Sequence, residues 1–266
     1  MTPTSPHLAP CTHVPQAQGR RLAQRALAAA GLLLAGAAHA EIATWHASSG
    51  LLPTAASPAW TLTDTANPEN PVLADGYLTI ATSAQSETML FEMEGAAAAL
   101  PASGPYWMEA TLQYVSGAWN TSWWRAPALM AIRFDNGRLA IAEFRRDSVF
   151  LRAGDNTLGA INNSVDTDNA FHTYRMEVLG TSSGSVVNLF QDGQLILSDN
   201  SVYNAGSSLG VSFGESSVLA YGVSRWTYVS HNMAAVASPV PEPASAPLLL
   251  LGALGLATML RQRRTR

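Results

Sequence analysis

The 266 residues carry only 13% charged side chains, against roughly 25% in ordinary soluble domains, and every one of the fifteen basic charges is an arginine. Seven of those arginines sit in the two ends, so the body from Glu41 to Val240 keeps eight against eighteen Asp and Glu, a balance of −10. A body so charged repels phosphate backbones, which excludes nucleic acid as a partner. The single cysteine, Cys11, leaves the body no disulfide, thiolate metal site or Cys nucleophile.

The first predicted element is an export signal over residues 1–40. Arg20, Arg21 and Arg25 precede an apolar run from Ala26 to Ala38, and Ala38-His39-Ala40 supplies a small-x-small cleavage site. The run is too short for a stable membrane span. Arg20-Arg21 also opens a twin-arginine signal, but Ala23 and Gln24 stand where apolar residues belong, so Sec-type export fits better.

Residues 41–232 read as one β-rich domain. Its apolar content and its seven Trp, seven Tyr and seven Phe provide one sizeable core. Predicted strands cover 76–80, 106–114, 128–134, 138–144, 173–178, 185–190, 209–213 and 222–229, several of them alternating apolar and polar. Asp75-Gly76, Asp135-Asn136-Gly137 and Asp192-Gly193 are hairpin-turn signals between them. No segment holds a convincing helical period, apart from a weak Ala-rich stretch from Gly95 to Leu100, so the fold class is all-β, an antiparallel sandwich or barrel.

Candidate sites follow along the chain. Glu92 and Glu94 stand two apart and share a strand face, the arrangement from which a paired-carboxylate glycosidase would be built; a solvated strand face is the competing reading. Trp119, Trp123, Trp124 and Arg125 crowd one segment and would stack on and hydrogen-bond a glycan, unless the rings belong to the core. Arg145, Arg146 and Arg152 are the basic concentration of the body, although Arg145 and Arg146 as strand neighbours point to opposite faces. Asp166 and Asp168, with Asp155-Asn156 nearby, offer hard oxygens suited to calcium or to ordinary turns. His46, His172 and His231 are isolated in sequence and suggest neither zinc nor a hydrolase triad. No catalytic residue is assigned.

The run from Phe171-His172-Thr173-Tyr174 through Val187-Asn188-Leu189-Phe190, the turn Asp192-Gly193, Gly210-Val211-Ser212-Phe213 and Arg225-Trp226-Thr227-Tyr228 resembles the second half of a concanavalin-like jelly roll. The resemblance spans about sixty residues. It implies that the last strand lies beside the first one, and that calcium would be in keeping with the fold.

After a linker at 233–240, the tail reads Pro241-Glu242-Pro243, then seventeen uncharged residues from 244 to 260, then Arg261, Arg263, Arg264 and Arg266. Seventeen residues reach roughly 25 Å as a helix, at the short end of a membrane span. The arginines act as stop-transfer charges that stay cytoplasmic, which places the body outside the inner membrane, as the export signal does. In this order the three parts resemble the PEP-CTERM sorting signal of Gram-negative bacteria, processed by an exosortase. The resemblance implies processing at Pro241-Glu242-Pro243, transient anchoring in the inner membrane, final residence at the cell surface or outside it, and an association with exopolysaccharide and biofilm. The expected function is a non-enzymatic, exported surface or matrix protein that binds extracellular glycan. A polysaccharide hydrolase or lyase on the same fold and a purely structural matrix protein are the alternatives.

Overall fold

The computed structural model describes residues 40–235 except 66–70, 84–86, 102, 119–125, 135–136, 155–156, 181–183, 205–207 and 217–219, and the side chain of Tyr203. All of them belong to the larger of two compact units of the chain, Ala38–Arg266. The strands are β1 (Ala40–His46), β2 (Thr61–Asp64), β3 (Val72–Ala74), β4 (Tyr77–Ala81), β5 (Thr88–Glu94), β6 (Tyr106–Ala118), β7 (Ala128–Phe134) and β8 (Arg138–Arg145). They continue as β9 (Ser148–Gly154), β10 (Thr157–Asn162), β11 (His172–Leu179), β12 (Val186–Gln191), β13 (Gln194–Asp199), β14 (Tyr203–Asn204), β15 (Gly210–Ser216) and β16 (Tyr221–Ala235). Helical structure among the described residues is confined to three 3-10 turns, one of them Gly95–Ala97 in the Ala-rich stretch. None of these is long and apolar enough to cross a membrane.

Two antiparallel sheets form a sandwich. Sheet A runs β13-β12-β11-β6-β16-β4-β3 with β1 also on β16, and sheet B runs β10-β9-β8-β7-β15-β5-β2 with β14 on β8. The last strand thus lies beside the first, as the jelly-roll resemblance implied. It extends to Ala235, three residues past the expected domain end, because Ala234 and Ala235 still pair with Glu41 and Ala40.

Alternation explains sheet A. Tyr106, Met108, Ala110, Leu112 and Tyr114 of β6 and Tyr174, Met176 and Val178 of β11 point inward, while Trp107, Glu109, Thr111, Arg175 and Glu177 face outward. Facing them from sheet B are Met130, Ile132, Phe134, Ala140, Ala142 and Phe144. Phe213 is the aromatic hub, 5.0 to 5.2 Å from the rings of Trp226, Trp60 and Phe91. The buried indoles of Trp226 and Trp45 donate to the Ser224 hydroxyl and the Leu51 carbonyl, both at 2.8 Å, so neither N–H is left orphaned.

Two turns match their signals in detail. Asp75 and Gly76 have φ of 53° and 79°, and Asp192 and Gly193 have 51° and 81°. Positive φ at both central residues suits the twist of adjoining strands, and Asp followed by Gly is among the pairs that tolerate it best.

The register gives the sandwich two poles. β1 begins and β16 ends side by side, Ala40 opposite Ala235. At the other pole β6 ends where β16 begins, Ala118 opposite Tyr221. The β8–β9 turn and the segment 163–171 lie toward this second pole, since the Thr167 carbonyl accepts the N–H of Tyr114 while Thr167 binds the end of β8.

Candidate functional site

At the second pole the β8–β9 hairpin closes on the pair Arg145–Ser148, with Arg146 and Asp147 in the turn. Buried Thr167 clasps segment 163–171 to this tip: its hydroxyl donates to the Arg145 carbonyl and approaches that of Arg146 at 3.2 Å. Its N–H donates to the Arg146 carbonyl at 3.2 Å. Between hairpin and segment lies an open depression of about 480 Å³, lined by Arg146, Asp147, Asn163, Ser164, Asp166 and Asp168, with Val165 as its apolar part.

Within it the Asp168 carboxylate accepts from Arg146 Nε at 2.6 Å. Asp166 Oδ1 accepts the N–H groups of Asp168 and Asn169, both at 3.2 Å. Partial desolvation pushes the Asp166 carboxyl upward, but the Asp168 and Asn169 N–H groups and nearby His172 outweigh it and hold the group below its usual value. Tyr114, beneath the tip, is pushed up to about 12 by burial. The two aspartates named as calcium candidates are engaged by an arginine and by a turn. Among the described residues no group of three or more His, Asp or Glu is placed to hold a metal ion.

His172, isolated in the sequence, is bonded on both nitrogens: Nδ1 to Asp192 Oδ2 at 2.7 Å and Nε2 to Asn169 Oδ1 at 3.0 Å. Asp192 also accepts the N–H of Thr173 at 2.9 Å. Despite desolvation, His172 and Thr173 keep the Asp192 carboxyl below its usual value. The signal for this contact was present in the turn, because pairing Tyr174 with Gln191 sets Asp192 against the start of β11.

The outer face of sheet B gathers most of the remaining candidates. Register aligns Glu92, Ser212, Ala131 and Ile141 across β5, β15, β7 and β8, and in the next row Leu90, Gly214, Leu129, Glu143 and Phe150. Glu92 and Glu94 share this face as the sequence suggested, but each has a partner. Glu92 accepts from the Thr63 hydroxyl at 2.6 Å, and Glu94 pairs with Arg133 and accepts from Ser208 at 3.1 Å.

Glu143, which sequence reasoning did not single out, is fully buried and forms an ion pair with Arg152, itself 4% exposed. Its second oxygen accepts the N–H of Ala126 at 2.6 Å. Arg145 and Arg146 separate as expected. The Arg145 guanidinium lies 4.6 Å over the Phe150 ring on the outer face of sheet B, where burial pushes its pKa down, and the Arg146 side chain, in the turn, is 70% exposed.

Trp119, Trp123, Trp124 and Arg125 lie outside the described residues, but both flanks of their segment are fixed. Ala118 pairs with Tyr221 at the second pole, and Ala126 is tied to Glu143. There Gly117 faces Gly222, and a Cβ on Gly222 would run into the Ser116 carbonyl and Pro127. The export signal, Pro241-Glu242-Pro243, the apolar segment 244–260 and the terminal arginines also lie outside the described residues.

No protein-family model and no curated protein matches the sequence. Among solved structures, the chain is similar to one described as a native glycosidic hydrolase, at 11% identity and TM-score 0.47 over 74% of this chain and 97% of that one. It is similar to a prokaryotic β-1,3-1,4-glucanase (lichenase) from a mouse hindgut metagenome, at 9% and 0.44 over 72% and 99%. A third is the Emp46p carbohydrate recognition domain in its potassium-bound form, at 12% and 0.43 over 70% and 94%. The description of this chain as a two-sheet sandwich rests on its own strand pairing.

Proposed function

We propose that this protein is exported, sorted through its Pro-Glu-Pro tail, and binds extracellular polysaccharide through its second pole without cleaving it. The observation that carries the reading is the open depression there. An arginine, three aspartates, an asparagine and a serine alternate donors with acceptors around it, the complement of a hydroxyl-rich ligand. Trp119, Trp123, Trp124 and Arg125, which fall between β6 and β7 in the sequence, would supply rings for sugar faces. Binding is favoured over hydrolysis because the carboxylates on the outer face of sheet B are engaged: Glu92 by Thr63, Glu94 by Arg133, Glu143 by Arg152 and Ala126. A general acid or nucleophile needs a carboxylate turned toward substrate.

The test uses the full chain in detergent micelles on a glycan array and in pull-downs with insoluble polysaccharides, with and without calcium, alongside Asp166→Ala and Arg146→Ala. Retention that falls at least tenfold in both variants, without calcium dependence and without release of new reducing ends, is the expected result. Retention unchanged in both variants removes the depression from the reading, and steady release of reducing ends replaces the binder with a hydrolase.

A further inference from the structure

Four of the seven described arginines form an ion pair with a carboxylate. Arg133, Arg146, Arg152 and Arg175 each pair with a carboxylate: Glu94, Asp168, Glu143, and Glu109 with Glu177. Arg225 does not. It projects from β16 in the middle of the outer face of sheet A, and no carboxylate among the described residues pairs with it, in a body whose net charge is −10. Its guanidinium instead lies 4.6 Å over the ring of Tyr77, and its Nε is buried without a hydrogen-bond partner among the described residues. Tyr77 adjoins Phe171, ring centres 6.1 Å apart and tilted by 40°, and Phe171 is 37% exposed. Thr79 and Gln113 flank Arg225 in register on either side.

A cation beside two neighbouring rings and flanking hydroxyl and amide groups is complementary to one kind of ligand: a sugar ring that carries a carboxylate. The guanidinium matches the carboxylate in charge and fork geometry, and the rings match the apolar face of the sugar. We propose that Arg225, Tyr77 and Phe171 form a second, anion-selective subsite that takes a uronate residue of an acidic polysaccharide. It rests on the glycan reading for its class of ligand but not on the depression. Segment 163–171 borders both, with Asp168 in the depression and Phe171 in this subsite, and Gln113 donates to the Asp168 carbonyl at 2.9 Å.

The experiment is titration calorimetry on the full chain in micelles with three probes of equal length: oligogalacturonate, cello-oligosaccharide and oligo-glutamate. Arg225→Gln should weaken oligogalacturonate at least tenfold and leave cello-oligosaccharide unchanged. Phe171→Ala, outside any strand, should weaken oligogalacturonate severalfold with the fold intact, which covers the case of an Arg225 variant that misfolds. Raised salt should weaken oligogalacturonate alone. Equal binding of oligo-glutamate, no oligogalacturonate binding by the parent, or indifference to both variants overturns the subsite. Loss of cello-oligosaccharide binding in Arg146→Ala, with oligogalacturonate retained, would separate the depression from it.

Discussion

His231 is a titratable side chain sealed inside the sandwich, fully buried on β16. Its Nδ1 accepts the N–H of Met233 at 3.2 Å, and its ring meets that of Trp60 edge-on at 5.2 Å, while Nε2 finds no hydrogen-bond partner among the described residues. Burial drives its pKa from 6.5 down to about 4. The folded chain therefore keeps this imidazole neutral where the unfolded chain already binds a proton. Stability is complete above pH 6.5 and drains away as pH falls toward 4, by roughly 3 kcal/mol in all. Urea midpoints at pH 7.5, 5.5 and 4.5 check this: the midpoint should fall steeply in the parent and less so in His231→Asn, whose amide oxygen still serves Met233. At this scale the sequence was readable only where chemistry is local. Asp75-Gly76 and Asp192-Gly193 announce their turns through backbone preference alone, whereas His231 owes its burial in part to Trp60, far away in the chain.

On the β8–β9 hairpin a buried ion pair takes the place of apolar packing. Removing two charges from water is costly, and the attraction between Glu143 and Arg152 offsets that cost only while both are present, with the Ala126 N–H completing the carboxylate. Glu143→Ala should lower unfolding stability by roughly 3 to 5 kcal/mol, whereas Glu143→Leu combined with Arg152→Met should recover most of the loss. Chemical denaturation of the three proteins decides the matter, and a double variant as weak as the single one would contradict it. Strand existence was legible here because Leu139-Ala140-Ile141-Ala142 is apolar and β-prone. The two-sided burial was not. Leu129, Ala131, Leu139 and Ile141 form a small cluster of their own on the outer face, and a run that is apolar on both faces carries no alternation from which to tell them apart. Glu92 and Glu94 were placed correctly on one face because period two is intrinsic to a strand. Their partners Thr63 and Arg133 depended on register, which one sequence does not reveal.

For the molecule as a whole, the two ends of the sandwich differ. Ala40 meets Ala235 at one pole, and the depression and the flanks of the Trp segment lie at the other. The tail reading is checked in an exosortase-bearing host: replacing Pro241-Glu242-Pro243 by three alanines should leave the chain at full mass in the inner-membrane fraction, while the parent loses its tail and reaches the surface. Identical masses and fractions for both would remove the sorting motif. The sandwich class was legible because strand alternation and turn signals are continuous in sequence, whereas the pairing of the last strand with the first came only from the jelly-roll resemblance, since β1 was not among the predicted strands. The depression was half legible: Asp166 and Asp168 stood out, but the hairpin tip that completes it arrives from twenty residues away.

The strand β16 joins the two poles. It is the longest strand among the described residues, fifteen residues or roughly 50 Å at about 3.3 Å each, and it is paired along its length with β6, β4 and β1. If the chain is held at Ala235 and binds a polymer at the opposite pole, as proposed, tension loads this strand lengthwise. Its cross-strand hydrogen bonds then resist in shear, all together, instead of peeling open one after another. On the proposed reading the domain would serve as a tie rod, carrying tension from one pole to the other.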